Sequence, residues 1–112
     1  MEVLDREFLR GNVYGDQELL REIVDLFFES SGEIVESIRD AVRSADHTLL
    51  NRSAHKLKGA LANVGAQAAA AAALELERLG RHGVLTGVED ALDHLIAEME
   101  RLTPELQALL AD

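Results

Sequence analysis

The sequence predicts an all-α protein, an antiparallel four-helix bundle preceded by a short N-terminal helix. Three observations carry that expectation. Apolar residues recur at alternating three- and four-residue intervals over four long segments, placing them on one helix face each time. The composition, rich in Ala, Leu and Glu with a single proline, favours helix throughout. The stretches between the periodic segments are short and carry glycine or aspartate, so consecutive helices fold back on one another. With 112 residues, 47% hydrophobic and only 4% aromatic, the chain can bury one aliphatic core, and residues 1–112 read as a single domain.

Taken in order, Asp5 caps a first helix running to about Arg10, with Glu7 in its first turn. Gly11-Asn12 closes it, and Tyr14-Gly15-Asp16 reads as a turn and a new N-cap. The second helix spans Asp16 to Ser44, about 40 Å at 1.5 Å per residue. Its stripe is Leu20, Ile23, Phe27, Ile34, Ile38 and Ala41, widened by Val24 and Val42. Ser30-Ser31-Gly32 looks like a break, but Phe27, Ile34 and Ala41 keep a seven-residue phase across it, which favours one helix. Two helices broken at Gly32 is the alternative.

Asp46 caps the third helix, whose stripe is Leu50, Ala54, Leu57, Leu61 and Val64. It closes at Asn63-Val64-Gly65. The fourth runs from Gln67 to about Arg81 and opens with the alanines Ala68 to Ala73. Ala69, Ala72, Leu76 and Leu79 carry its periodicity, and Gly80 and Gly83 end it. Thr86-Gly87-Val88-Glu89 has the form of a capping box. The last helix then shows Val88, Leu92, Leu95, Met99, Leu102, Leu106 and Leu109. Pro104 falls inside it and predicts either a kink or a restart with Thr103 as N-cap. There is no internal repeat.

The charge balance narrows the function. Eleven basic against 21 acidic residues give a formal net charge of −10. Nucleic acid is excluded as a partner, because phosphate binding needs a basic face, and a broad contact with anionic membranes is excluded with it. Without cysteine there is no disulfide framework and no thiolate metal site. The start of the chain has no secretory pattern and no apolar run reaches spanning length, so a soluble cytoplasmic protein is expected. Neither phosphate-binding glycine loop is present, which removes ATP binding by a familiar loop and autonomous kinase activity. No serine sits in a nucleophile elbow. Glu75, Glu77, Glu98 and Glu100 read as solvated helix faces. His47 and His82 read as exposed and inert, His94, beside the stripe position Leu95, reads as a surface or boundary residue, and neither E-x-x-H nor H-x-x-x-H occurs. No metal or cofactor is expected.

One stretch stands apart, Ser53-Ala54-His55-Lys56-Leu57-Lys58-Gly59-Ala60. It contains the two lysines of the chain. His55 lies about 100° from the stripe residue Ala54, and Lys58, Gly59 and Ala62 share its flank at i+3, i+4 and i+7. The imidazole is therefore expected at the bundle surface. Gly59 is costly there, since glycine inside a helix is about 0.8–1 kcal/mol worse than alanine. A partner approaching the backbone beside the histidine accounts for it, the alternative being a close helix crossing. Arg52, Lys56 and Lys58 make a small positive island, sized for one phosphoryl group. A neutral imidazole can attack phosphorus through one ring nitrogen. Lys58 is placed to neutralise the transferred group.

Ala54-His55-x-Leu57-Lys58-Gly59, followed by Asn63-Val64-Gly65, resembles the signature of histidine-containing phosphotransfer (HPt) domains. Leu4-Asp5, Gly15-Asp16, Leu76-Glu77 and Gly80-Arg81 also fit, so the resemblance covers nearly the whole chain. Ala60 departs from it, because many members carry serine there. The resemblance implies a four-helix bundle that carries a phosphoryl group between receiver-domain aspartates in multistep phosphorelays. His55 would be phosphorylated on Nε2, Lys58 would steady the phosphoryl group, and Gly59 would admit the receiver. Arg52, Lys56 and Ala62 would belong to the docking surface. Partners would be response-regulator receiver domains and a hybrid sensor histidine kinase, any Mg2+ coming from the receiver, and the protein would act as a monomer. The phosphate-accepting domain of a chemotaxis-type histidine kinase shares His-x-x-Lys-Gly. A helical adaptor that binds through the His55 face without chemistry is the reading from a different class.

Overall fold

The computed structural model describes residues 1–111. These form five helices and no strand: α1 (Arg6–Asn12), α2 (Gln17–Arg43), α3 (His47–Asn63), α4 (Gln67–His82) and α5 (Val88–Ala111). Three aspartates start three of them in the same way. The carboxylates of Asp5, Asp16 and Asp46 accept from the backbone N–H groups of Phe8, Leu19 and Leu49 at 3.1, 3.1 and 3.0 Å. Each satisfies a donor that has no partner within the helix.

The long second helix is unbroken through Ser30-Ser31-Gly32. The reason is local: Ser30 Oγ and Ser31 Oγ donate back to the carbonyls of Leu26 and Phe28, at 2.7 and 3.3 Å. The hydroxyls fold onto the helix instead of competing with it. The last helix likewise continues through Pro104. Thr103 does not restart it, because its hydroxyl donates backwards to the Met99 carbonyl at 3.0 Å. The expected capping box is displaced. Gly87, at φ +81°, supplies the first carbonyl outside α5, accepting from Ala91, so the helix starts one residue later than a Thr86 cap would place it.

The helices close a ring in which α3 packs on α2 and α4, and α5 packs on α4 and α2. Leu50, Ala54, Leu57 and Leu61 of α3 are fully buried, as are Leu76 of α4 and Leu95 and Leu106 of α5. The seam between α3 and α4 is the most extensive in the molecule. Alanines on α4 (Ala69, Ala72, Ala73) and Gly80 keep its buried face shallow, so this helix lies close to its neighbours. The α3–α4 turn is also where the N-terminal segment attaches: Asp5 N–H donates to the Gly65 carbonyl at 2.8 Å. Gly65 has φ +78°, and a Cβ there would meet the Asp5 carbonyl at 3.0 Å and the Phe8 ring at 3.1 Å, so glycine suits the turn twice over. No described helix is long and apolar enough to cross a membrane.

Candidate functional site

α3 presents one flank to solvent along its whole length. Its core residues define the buried side, and rotation by one residue carries His55 out of it. The side chain of His55 is 69% exposed, beside neighbours that hold it in place. Its Nδ1 lies 3.0 Å from Oε1 of Glu77, on the facing turn of α4. Lys58 Nζ lies 2.8 Å from the same oxygen, and Arg81 Nη2 lies 2.7 Å from Oε2. One carboxylate thus gathers an imidazole and two cations.

Glu77 is the residue that the sequence reading misplaced. Together with Glu75, Glu98 and Glu100 it was expected on a solvated face. Glu75 and Glu100 are exposed, but the Glu77 side chain is only 2% exposed, and Glu98 on α5 is buried too. The physical reason is spacing. Ala66, Ala69, Ala73, Glu77 and Gly80 follow one another at helical intervals on the small-residue face of α4. Glu77 completes that face and must go inside with it. A charge among alanines at core spacing was the available signal.

A buried carboxylate is tolerated only when it is paired, and Glu77 is. The hydrogen bond from Lys58 is the largest influence on its carboxyl, holding it below the usual carboxylate range. Desolvation opposes this, and the bond from His55 supports it. The group is therefore ionised at neutral pH and can only accept hydrogen bonds. It follows that Nδ1 of His55 carries a hydrogen. In the neutral ring the lone pair is then on Nε2, at the exposed edge.

The other residues singled out in the sequence fall around this centre. Gly59 has open space where a Cβ would stand, with no atom within 4 Å, so no helix crossing explains it. Arg52 and Lys56 are exposed beside His55. Lys56 shares a cleft with Glu33, Ile34 and Ser37 of α2. Ala62 is exposed two turns beyond His55 and lines a shallow apolar depression with Phe8 and Ala70. On the α2 side of α3, Ile23, Leu26 and Phe27 form a second depression with Ala60, Asn63 and Val64. The flank is thus cationic around His55 and apolar beyond Gly59. His47, His82 and His94 are exposed and lie outside the cluster. Among the described residues, no group of three or more His, Asp or Glu is arranged to hold a metal ion.

Comparison with known proteins adds the family. The chain matches no curated protein. It is similar in structure to histidine-containing phosphotransfer protein B from Pseudomonas aeruginosa PAO1, with a TM-score of 0.91 and 24% identity. The match covers 97% of this chain and 95% of that one. At that identity the likeness establishes the fold. The family model described as the Hpt domain matches residues 22–110, from the first turns of α2 almost to the end of α5. The chain belongs to the Hpt domain family, the histidine phosphotransfer proteins of phosphorelays.

Proposed function

We propose that His55 is the residue that carries the phosphoryl group, through Nε2. The observation that supports this most directly is the Glu77 contact, which commits the ring proton to Nδ1 and leaves the nucleophilic nitrogen outward. In the forward step the Nε2 lone pair attacks phosphorus and an N–P bond forms. The acyl-phosphate P–O bond of a receiver aspartate breaks, its electron pair returning to that carboxylate. No proton has to leave the ring. The positive charge that develops on the imidazole is matched by Glu77 below it, and the reverse step regenerates the same tautomer. Phosphoryl transfer asks mainly for alignment and charge neutralisation. Lys58, one turn from His55, can exchange Glu77 for a phosphoryl oxygen. The aspartate and any divalent cation are the receiver's.

The docking face in this reading follows α3. Arg52 and Lys56 meet the receiver near its phosphorylated end, Gly59 lets it approach the backbone, and Ala62 lies beneath an apolar part of the partner. Leu26, 64% exposed, and Phe8 border that part and give it an apolar complement. The setting is cytoplasmic, with a receiver and a hybrid sensor kinase as partners and the chain acting as a monomer.

The test is incubation with a receiver bearing labelled phosphate. Acid-labile, base-stable label should appear on the wild type and vanish in His55→Gln, with the 31P shift of Nε2-phosphohistidine. Persistence of the label in His55→Gln would overturn the assignment. Absence of label from any receiver or kinase would leave the adaptor reading in its place. Gly59→Leu tests access, and transfer at the wild-type rate would sink that part.

A further inference from the structure

We infer that Gly80 and Asn51 are positioning residues that set the tautomer of His55, by holding α4 at the separation from α3 at which Glu77 reaches Nδ1. The inference deepens the proposed role of His55 and matters to the reaction only if that role holds.

Helix propensity disfavours one of the residues of α4. Gly80 lies inside α4, two residues from its end, and an alanine there would favour the helix. Yet a Cβ at Gly80 would lie 2.6 Å from the Asn51 nitrogen and 2.9 Å from both the Asn51 Cα and the His47 carbonyl oxygen. All three are main-chain atoms of α3, so no rotamer change can relieve the contact. The helices would have to separate.

The same turn carries a tether. Asn51 Nδ2 donates to the Glu77 carbonyl oxygen at 2.9 Å. Asn51 is one turn before His55 on α3, and Gly80 is one turn after Glu77 on α4. The glycine permits the close approach, the asparagine holds it, and both act one turn from the contact between His55 and Glu77. Helices are stiff over one turn, so a displacement at Gly80 is transmitted to Glu77.

The effect on chemistry follows from the steepness of the hydrogen bond. The Nδ1–Oε1 distance is 3.0 Å, and lengthening by about half an ångström would leave little of the bond. An imidazole without that partner distributes its proton over both nitrogens. Each ring protonated at Nε2 has lost the attacking lone pair. Gly59 makes the contrast: it too is a helical glycine, but nothing stands near its missing side chain.

The experiment needs no receiver. Long-range 15N–1H NMR of the whole protein at about pH 9, where imidazoles are neutral, reads the His55 tautomer directly. The wild type should show protonated Nδ1 and bare Nε2. Gly80→Ala and Asn51→Ala should each move both nitrogens toward averaged values. Phosphorylation of His55 by phosphoramidate, a small donor that loses ammonia as the N–P bond forms, should slow several-fold in both, in step with the fraction of rings no longer protonated at Nδ1. Gly32→Ala, on α2 with open space at its Cβ, should change neither readout. Asn51→Ala decides alone if Gly80→Ala fails to fold. Wild-type tautomer in the folded variants would overturn the inference. A shifted tautomer in a protein that phosphoramidate never labels on His55 would uphold it and remove the phosphoryl-carrying role instead.

Discussion

Glu77 and Glu98 are the buried carboxylates among the described residues, and they sit on two helices, α4 and α5, that pack together in one bundle. Each has an arginine and a histidine nearby. Around Glu98, both come from its own helix: Arg101 Nη1 at 2.8 Å and His94 Nε2 at 3.9 Å, beyond hydrogen-bond reach, while Oε2 is buried without a partner. Around Glu77 two helices contribute, since His55 and Lys58 come from α3 and Arg81 from α4, and both oxygens are engaged. The difference teaches what separates a site from a buried charge. A carboxylate reached only along its own helix is merely accommodated. One that gathers groups across a seam fixes their relative positions, and here one of those groups is the imidazole.

The largest break in the comparison is Glu77→Met, which keeps the volume and removes the charge. It should leave a folded bundle in which His55 loses its tautomer preference. Receiver-dependent transfer should fall roughly 10- to 100-fold, by analogy with the loss of a carboxylate that orients a metal-bound imidazole. The measurement is single-turnover transfer alongside circular dichroism. A folded variant that transfers normally would reduce Glu77 to the status of Glu98.

How much of this was legible follows the same division. The helix order, the continuous second helix and the exposed flank of His55 could be read from periodicity, because apolar spacing along one helix is a local property. The Glu77 contact could not. It depends on which face of α4 meets which face of α3, and that is set by alanines and a glycine carrying almost no hydropathy signal. Glu98 was misread for the same reason, falling at core spacing between Leu95 and Leu102. The Thr86 cap failed for a third, since the backbone at Gly87 can adopt φ +81° and start the helix itself.

Next in size is Lys58→Ala. Lys58 is the first cause of the depressed Glu77 carboxyl, and in the proposed reaction it also meets the phosphoryl group. Its loss should slow transfer several-fold and shorten the life of phosphohistidine without unfolding the bundle, since Arg81 and His55 still pair Glu77. Kinetics unchanged from wild type would confine Lys58 to holding the carboxylate.

A smaller effect should appear in acid. Because the folded Glu77 carboxyl lies below its usual range, its pairing stabilises the fold above the ordinary carboxylate value, near pH 4. That contribution fades as pH falls through the depressed value. Urea unfolding of wild type and Glu77→Gln should therefore differ most at neutral pH and converge toward pH 2. A gap that widened on acidification would reverse the sign and contradict the pairing.

The smallest expected effect is at the other buried carboxylate. Glu98→Met removes the unpartnered Oε2, and Arg101, already 59% exposed, returns to water. Replacing a poorly compensated buried charge by an apolar side chain of similar size is often neutral or stabilising, so stability should rise by about 1 kcal/mol and Tm by about 4 °C. The His55 tautomer and the transfer rate should stay where they are. If transfer fell with Glu98→Met as it does with Glu77→Met, the two carboxylates would be coupled, and the cross-helix contact at Glu77 would no longer suffice to explain the reactive ring.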